Sequence, residues 1–360
     1  MMKVLDLPTP AVVIDIDAME KNLRLMQSRC SETGVGLWPH CKTHKLVPVL
    51  RRQLELGAGG ATVAKIGEAE ALVPSGVRNI FIAHSIVRLD AAPRLRDLRE
   101  KLDRLVLAVT SEAQLAALEK VIEAAGIEVE MMLGVDAGLG REGARTPESA
   151  ARLAERIRDC PRMKLTGIYS HEGNSYRRDE PDLEAFANGV HTRLMEYRSA
   201  IGGDLPLWPG CSVTALLMAG KEAVKVVRPG AYVFGDLSLC ESDPILPWDQ
   251  AALSIIATVI DRPDEHLALI DAGSKVFSSD RSLAGLCGRE RDRRHLTVTK
   301  LSEEHGFVTW TEAAGPAVGD ILRIIPAHVC TVVNLRSEIY VAQGDDIVDT
   351  WKVDARGCSV

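Results

Sequence analysis

Short apolar runs recur along the first two thirds of the chain, and segments of helical periodicity separate most of them. Helical spacing is clear over 112–125 and 147–159, and an earlier helix begins after a capping residue, Asp17. Eight runs have the length of a strand: 35–39, 60–64, 79–84, 104–109, 128–135, 165–170, 206–210 and 224–234. Eight strands with intervening helices are typical of a (β/α)8 TIM-like barrel, which we predict over residues 17–245.

The pattern changes beyond residue 245. Strand-length apolar runs continue, but turn residues rather than helical segments separate them, at 252–260, 267–270, 306–311, 320–325 and 338–341. This rhythm predicts a C-terminal all-β domain over residues 246–360. Residues 1–16 contain one further strand. Since a closed barrel has no free edge to accept that strand, we predict that it joins the β domain.

Composition and charge exclude several classes of protein. The 360 residues are 46% hydrophobic and 26% charged, which is typical of a globular chain with two domains. A formal net charge of -7 argues against a nucleic-acid partner, and no apolar run is long enough for a membrane span. The eight cysteines form no Cys-x-x-Cys pair, and the N-terminus has no signal-peptide pattern. We therefore predict a cytoplasmic protein with reduced thiols.

The segment from Trp38 to Lys45 follows the first predicted barrel strand. Barrel enzymes place their chemistry at the C-terminal ends of the strands, so Lys42 is a candidate catalytic residue. Burial and nearby cations can lower the pKa of such a lysine, which makes it a nucleophile for an aldehyde. An ordinary surface loop with exposed lysines would give the same pattern.

Two further loops carry candidate ligand-binding side chains. His171 and Tyr176 come just after the sixth predicted strand, where either could stack on a flat ring or form a hydrogen bond with it. Arg141 follows the fifth strand and could pair with a phenolate or a carboxylate. Taken alone, His171 could equally be a structural histidine and Arg141 a surface arginine.

The loops after the last two barrel strands are rich in small and hydroxyl residues. Ser212 and Thr214 follow the seventh strand, and Gly230, Ala231 and Tyr232 lie at the eighth. Hydroxyls and accessible backbone N–H groups bind anions, and barrels often hold a phosphate between these two loops. Each loop alone could also be a simple turn.

The β domain contains a possible metal-binding pair. His328 and Cys330 are two positions apart, so they would face the same side of a strand. Imidazole and thiolate suit zinc, and two ligands would leave coordination positions open for water and substrate. A buried cysteine beside a packed histidine is the alternative. His305 is a further candidate without a spacing argument.

Together these segments resemble the family of D-serine dehydratases and D-threonine aldolases. Its members are fold-type III pyridoxal-phosphate enzymes, related in architecture to alanine racemases. The resemblance runs nearly the whole length of the chain, through an ordered set of segments: 7–15, 39–45, 171–176, 227–232, 270–273, 304–306 and 328–330. One departure is visible, because Trp38 stands where the family usually has an arginine.

The resemblance implies a role for each candidate residue. Lys42 would form the Schiff base with pyridoxal 5'-phosphate, and His171 would lie beside it in the catalytic centre. Arg141 would contact the phenolic oxygen of the cofactor. The remaining cofactor-binding residues would be Tyr176, Ser212, Thr214, Gly230, Ala231 and Tyr232. His328 and Cys330 would hold a divalent metal ion, with zinc expected and manganese or magnesium as alternatives.

The resemblance leaves two reactions open. A dehydratase would convert a D-β-hydroxy amino acid, such as D-serine, D-threonine or 3-hydroxy-D-aspartate, into a 2-oxo acid and ammonia. An aldolase would cleave the same substrate to glycine and an aldehyde. The His-x-Cys pair favours the dehydratase, because aldolases more often have an aspartate at the second position. A non-catalytic carrier of the cofactor is a further alternative, and a homodimer is expected.

Overall fold

The computed structural model describes residues 2–177, 179–242, 245–311 and 314–360. The chain forms two compact units, each made of several segments. The β-rich unit comprises Met1–Leu25, Thr43–Leu46 and Ala231–Arg356, and the α/β unit comprises Met26–Lys42, Val47–Gly230 and Gly357–Val360. The main division therefore falls at residue 230, whereas the sequence pattern placed it at residue 245.

Seventeen β-strands lie within the described ranges. The α/β unit contains β2 to β9, and the β-rich unit contains the others. The strands are β1 (Ala11–Asp15), β2 (Gly36–Leu37), β3 (Ala61–Val63), β4 (Asn79–Ile82), β5 (Arg104–Val109), β6 (Val129–Gly134), β7 (Met163–Tyr169), β8 (Leu207–Trp208), β9 (Val226–Val227), β10 (Leu253–Asp264), β11 (Leu267–Ile270), β12 (Gly288–Glu290), β13 (Thr297–Leu301), β14 (Gly306–Thr309), β15 (Ile321–Pro326), β16 (Glu338–Gln343) and β17 (Asp346–Lys352).

The described residues also contain ten α-helices, most of them in the α/β unit. They are α1 (Ile16–Glu32), α2 (Val47–Leu56), α3 (Ile66–Leu72), α4 (Ala92–Lys101), α5 (Glu112–Ala125), α6 (Pro147–Arg158), α7 (Leu183–Ile201), α8 (Ala215–Met218), α9 (Ser274–Phe277) and α10 (Val329–Asn334). None of the helices in the described ranges is long and apolar enough to cross a membrane.

The α/β unit contains a parallel sheet of six strands in the order β3-β4-β5-β6-β7-β8. Strands β2 and β9 pair with each other in a separate parallel sheet, and isolated bridges join His40 to Thr62 and Leu207 to Val224. All eight predicted strands are present, but they do not form one continuous eight-stranded ladder. The reason is visible in β2, β8 and β9, which are two residues long because nearby prolines cannot donate to a ladder.

Inward-facing side chains of these parallel strands form an aromatic core. It contains Trp38, Phe81, Val106, Ala108, Met132, Tyr169, Trp208 and Val226. The ring centroids of Trp38 and Trp208 are 4.7 Å apart, and those of Phe81 and Tyr169 are 5.2 Å apart. Trp38, the residue that replaces the expected arginine, is therefore a core residue here. The Cζ atom of Arg104 lies 5.4 Å from the Trp38 ring.

The β-rich unit is built on a closed antiparallel ring of six strands. The ring runs β10-β11-β14-β13-β12-β15 and closes because β10 pairs with both β11 and β15. Strand β1 lies between β10, to which it is antiparallel, and β16, to which it is parallel. Four of its five residues are buried, as suits a strand with neighbours on both sides.

Some local features differ from the sequence prediction. The predicted cap Asp17 lies inside α1, and Asp15 instead accepts a hydrogen bond of 3.1 Å from the backbone N–H of Ala18. Strands β12, β13 and β17 were not predicted. Charged residues such as Arg289, Lys300 and Asp349 interrupt their apolar pattern, which hides the alternation typical of strands.

Candidate active site

The α/β unit contains a cavity of about 450 Å³. Each residue that lines it lies at, or shortly after, the C-terminal end of a parallel strand, where barrel enzymes concentrate functional side chains. The lining residues are His40, Lys42, Ala64, Ala83, His84, Arg141, Glu142, Tyr169, His171 and Arg228. Three predicted site residues, Lys42, Arg141 and His171, thus share one cavity.

Lys42 belongs to a turn that backbone hydrogen bonds fix on two sides. The N–H of His40 donates to the Pro229 carbonyl at 2.9 Å, and the N–H of Cys41 donates to the Thr62 carbonyl at 2.8 Å. The Lys42 side chain is half-buried and extends from this fixed turn into the cavity. Because the backbone of this turn is fixed while the Lys42 side chain can still move, the amine is well placed to form a covalent bond with an aldehyde.

His171 is neutral near pH 7. Burial, followed by the charge of Lys42, lowers its pKa to about 3. The ring donates from Nδ1 to the carbonyl oxygen of Gly210, which leaves the lone pair on Nε2. The ring can therefore accept a hydrogen bond or stack on a flat ligand without adding charge to the cavity.

Arg228 was not assigned a role from the sequence, although it lies in the Arg-Pro-Gly segment at the end of β9. Its guanidinium is buried, donating to the carbonyl oxygens of Trp208 at 3.1 Å and Ser170 at 2.5 Å. Its Cζ lies 5.3 Å from the Phe81 ring and 5.4 Å from the Tyr169 ring. Burial lowers its pKa to about 10, so it remains a cation at neutral pH.

A fully buried carboxylate, Glu172, joins the loop after β7 to the loop after β8. It accepts hydrogen bonds from the hydroxyl of Ser170, from the N–H of Gly210 at 3.0 Å and from the hydroxyl of Thr214 at 3.4 Å. Burial raises its pKa, while the Ser170 hydrogen bond and Arg228 oppose that shift. Glu172 therefore fixes both loops, and the Thr214 hydroxyl is directed to a carboxylate.

The other predicted phosphate ligands do not line the cavity. The Ser212 hydroxyl accepts a 3.0 Å hydrogen bond from the N–H of Gly230, so these two residues hold each other. Ala231 and Tyr232 are buried and belong to the β-rich unit. Tyr176 is half-buried in the short helical turn after β7. The contact of the Ser212 and Gly230–Tyr232 loops with a phosphate, and the place of Tyr176 in the cofactor pocket, therefore remain predictions.

The loop that presents Arg141 is organised around Asp136. The carboxylate accepts hydrogen bonds from the N–H groups of Gly138 at 3.0 Å and Gly140 at 3.1 Å, and from the side chain of Arg145. Gly138 and Gly140 have φ values of 116° and 73°, which side chains other than glycine rarely adopt. Arg141 is exposed on this loop, 3.5 Å from the Glu142 carboxylate.

The cavity fits an anionic aromatic ligand such as pyridoxal phosphate. Lys42, Arg141 and Arg228 supply cationic side chains, whereas Glu142 is the one carboxylate among the lining residues. The buried hydroxyl of Tyr169 makes no hydrogen bond to any residue in the described ranges. A volume of about 450 Å³ is that of a small-molecule site.

The metal-binding pair lies on a different element from the one predicted. The strand argument for His328 and Cys330 is wrong, because β15 ends at Pro326 and His328 is the N-cap residue of α10. The two side chains nevertheless interact. Cys330 raises the pKa of His328 well above its usual range; burial opposes this shift, and the hydrogen bond to Asp236 adds to it.

Two other side chains contact the pair. Asp236 Oδ2 lies 3.1 Å from His328 Nδ1, and Thr43 Oγ1 lies 3.1 Å from Cys330 Sγ. In the ranges that the structure describes, no group of three or more His, Cys, Asp or Glu residues is arranged to hold a metal. A metal here would thus depend on two protein ligands, with water or substrate in the other positions. His305 is exposed, in the turn before β14.

Two family models match the chain. "Alanine racemase, N-terminal domain" matches residues 14–238, and "Putative serine dehydratase domain" matches residues 252–342. Together they cover the barrel strands and the whole of the closed antiparallel ring.

Individual relatives match over nearly the whole chain. The chain is 29% identical to a D-threonine aldolase from Arthrobacter sp. over 361 residues, covering 98% of this chain and 93% of the relative. It is 32% identical to a D-threo-3-hydroxyaspartate dehydratase from Delftia sp. over 372 residues, covering 97% of each. The crystal structure of a D-threonine aldolase from Filomicrobium marinum superposes with a TM-score of 0.91 at 26% identity, covering 100% of this chain and 98% of that one.

Proposed function

The chain belongs to the fold-type III pyridoxal-phosphate family and is a lyase of that kind, and we propose that it is the dehydratase of a D-configured β-hydroxy amino acid. The products would be a 2-oxo acid and ammonia. The observation that carries this proposal is the position of His328 and Cys330 together at the start of α10, because a thiolate and an imidazole form the donor set that zinc prefers. A metal ion held by this pair would act as a Lewis acid at the hydroxyl that leaves.

The residues of the cavity have separate tasks in this reaction. When bound, the cofactor takes up electrons from the α-carbon of the substrate and the metal draws electrons from the β-hydroxyl. Lys42 would hold the cofactor through its amine until the amino group of the substrate displaces it, and the released Nζ would then accept the α-proton. Arg228 and Arg141 would balance the negative charge of the cofactor, while the neutral His171 would contact it without adding charge.

Metal dependence has independent support from a relative. One solved structure is of a D-threo-3-hydroxyaspartate dehydratase with a cysteine-to-alanine substitution, in the metal-free form; it covers 98% of this chain. We propose that Cys330 is a metal ligand here and that His328 is the other. Zinc is the metal we expect, with manganese or magnesium as alternatives.

Aldol cleavage is the second candidate, and whole-chain similarity to D-threonine aldolases favours it. In that reaction a base would remove the proton from the β-hydroxyl instead of the α-proton, and the Cα–Cβ bond would break. The carrier interpretation is set aside, because the full-length relatives are lyases.

Product analysis with D-threonine separates the two reactions. The enzyme is incubated with the substrate, with and without a chelator, and with zinc added back. 2-Oxobutyrate and ammonia that disappear on chelation and return with zinc would support the dehydratase. Glycine and acetaldehyde would show an aldolase. L-Threonine is the matched control for the D configuration.

The homodimer also stands as a proposal. Sedimentation of the purified protein at two concentrations tests it, and a mass near the 39.1 kDa of one chain would contradict it.

A further inference from the structure

We propose that Asp236 and Thr43 are positioning residues for the metal ion: Asp236 orients the ring of His328, and Thr43 orients the sulfur of Cys330. All four residues belong to the β-rich unit. The inference rests on the metal dependence proposed above and extends it to two more residues. The sequence pattern assigned no such role to Asp236 or Thr43.

The carboxylate of Asp236 is fixed before any metal arrives. Its side chain is 1% exposed. Oδ1 accepts a hydrogen bond from the N–H of Leu239 at 3.2 Å, and Oδ2 accepts one from the N–H of Val329 at 3.4 Å. Each carboxylate oxygen therefore has a hydrogen bond to the backbone, which fixes the position of Oδ2 beside the His328 ring.

This contact selects the nitrogen that His328 can offer. An ionised carboxylate only accepts hydrogen bonds, so Nδ1 must carry the hydrogen and donate it to Asp236 Oδ2 at 3.1 Å. Nε2 is then the atom left to bind a metal, and a metal ion there would displace any proton that Nε2 carries in the metal-free protein. Metal-binding histidines commonly have a carboxylate or carbonyl partner of this kind on the other nitrogen.

Thr43 acts on the second ligand. It is 1% exposed, and its hydroxyl lies 3.1 Å from Cys330 Sγ, where it can donate to the thiolate. The segment around it is attached to the same helix at its other end, because Lys45 Nζ donates to Asn334 Oδ1 at 2.8 Å. Thr43 is thus held against the first turn of α10.

A purely structural role would predict a different result, and the chain offers a matched control. Asp280 is another carboxylate that supports α10, accepting a hydrogen bond of 2.8 Å from the Thr331 hydroxyl. Its described hydrogen bond goes to the residue after Cys330 and not to either proposed ligand. If Asp236 only supports the helix, loss of either carboxylate should have the same effect on the metal.

The test is zinc affinity, measured without reference to activity. The purified holoenzyme is stripped of metal with a chelator and titrated with zinc in competition with a chromophoric chelator. We expect Asp236→Asn to weaken zinc binding by about 10- to 100-fold and Asp280→Asn to change it by less than about twofold. Thr43→Val should weaken binding by about tenfold, and Thr43→Ser, which keeps the hydroxyl, should restore it.

Several outcomes would overturn the inference. Zinc affinity of Asp236→Asn close to that of the wild type would do so, as would an equal loss in Asp280→Asn. If Asp236→Asn fails to fold, the zinc affinities of Thr43→Val and Thr43→Ser are compared instead. Equal affinities in these two variants would reject the inference. A wild-type protein that binds none of zinc, manganese and magnesium would reject the proposed metal dependence itself, which is a separate result.

Discussion

At the scale of single residues, the charge of the cavity depends on which side chains carry a proton near pH 7. Arg228 keeps its charge despite burial, and His171 loses its charge because of burial. An anion bound in the cavity would therefore face the positive charges of Arg228 and Arg141 and the uncharged imidazole of His171. This division of charge would not be visible from the residue types alone.

Lys42 gives the most direct prediction. Lys42→Ala should leave no cofactor covalently bound to the protein after borohydride reduction, and kcat should fall by at least about a hundredfold because a proton-transfer group is lost. Lys164→Ala is the control, since Lys164 is exposed on β7 and is not among the residues that line the cavity. Mass spectrometry of peptides from both reduced proteins checks the assignment. A cofactor adduct that persists in Lys42→Ala would show that another lysine is used.

His171 should make the folded protein sensitive to acid. Its folded pKa is about 3 and its ordinary value is about 6.5, so between these pH values the unfolded chain binds a proton that the folded chain does not. The free energy of unfolding should therefore fall as the pH falls through this window, by up to about 1.4 kcal/mol per pH unit from this residue. Above pH 6.5 the contribution is fully present.

The measurement is urea unfolding of the cofactor-free protein between pH 4 and pH 8. His171→Asn can keep a donor to the Gly210 carbonyl but does not titrate, so its stability should depend less on pH below 6. Equal pH dependence of both proteins would contradict the assigned pKa.

At the scale of elements, two glycines that look alike in the sequence have opposite surroundings. A Cβ atom at Gly210, in the loop after β8, would lie 2.6 Å from Arg228 Cζ, and the guanidinium is held by two hydrogen bonds. A Cβ atom at Gly189, on the exposed face of α7, would have no atom within 4 Å.

Alanine substitutions should therefore act in opposite directions. Gly210→Ala should lower the free energy of unfolding by about 1–3 kcal/mol through overpacking, and it should weaken cofactor binding by displacing Arg228. Gly189→Ala should raise stability by about 0.5–1 kcal/mol, because alanine loses less conformational freedom in a helix. Denaturant unfolding of both variants checks the signs. Stabilisation by Gly210→Ala would mean that Arg228 is free to move.

Elements with a strong apolar period could be predicted from the sequence, and those without it could not. All eight parallel strands were predicted, and α5 begins and ends where its periodicity indicated. The pattern did not show that β2, β8 and β9 are only two residues long. Their length depends on which positions of the hydrogen-bonded ladder are taken by prolines, which have no N–H to donate. The pattern also placed His328 and Cys330 on a strand, because an isolated His-x-Cys carries no helical period.

The candidate site was predictable where a residue follows a strand that the apolar pattern predicts. Lys42, Arg141 and His171 satisfied that condition and line the cavity. Arg228 lies in the segment 227–232 that carries part of the resemblance, but the sequence assigned it no role, since a buried arginine has no sequence signature. Asp236 and Thr43 depend on contacts between segments far apart in the chain, which a single sequence does not reveal.

At the scale of the whole molecule, the β-rich unit depends on the N-terminal segment. Strand β1 fills the place between β10 and β16, with Val13 and Ile14 fully buried. Without β1 both neighbours would present unpaired backbone groups, which favour association between chains. A fragment of residues 231–356 should therefore be unfolded or aggregated.

A peptide of residues 2–25, added during refolding, should rescue that fragment by strand addition. The control peptide carries Val13→Lys, which places a charge at a position that is 0% exposed. Circular dichroism and thermal unfolding report on the result. A cooperative transition in the fragment alone would show that β1 is dispensable.

The interleaving of the two units also limits how such a gene can change. The β-rich unit is assembled from three stretches of sequence, and the α/β unit also from three, in alternating order. Recombination at any single point between these stretches would combine pieces of at least one unit from two different parents. Diversification in this architecture should therefore proceed by substitution within an inherited pair of units, and chimaeras made by a single crossover should fold only when the parents match within each unit that the crossover divides.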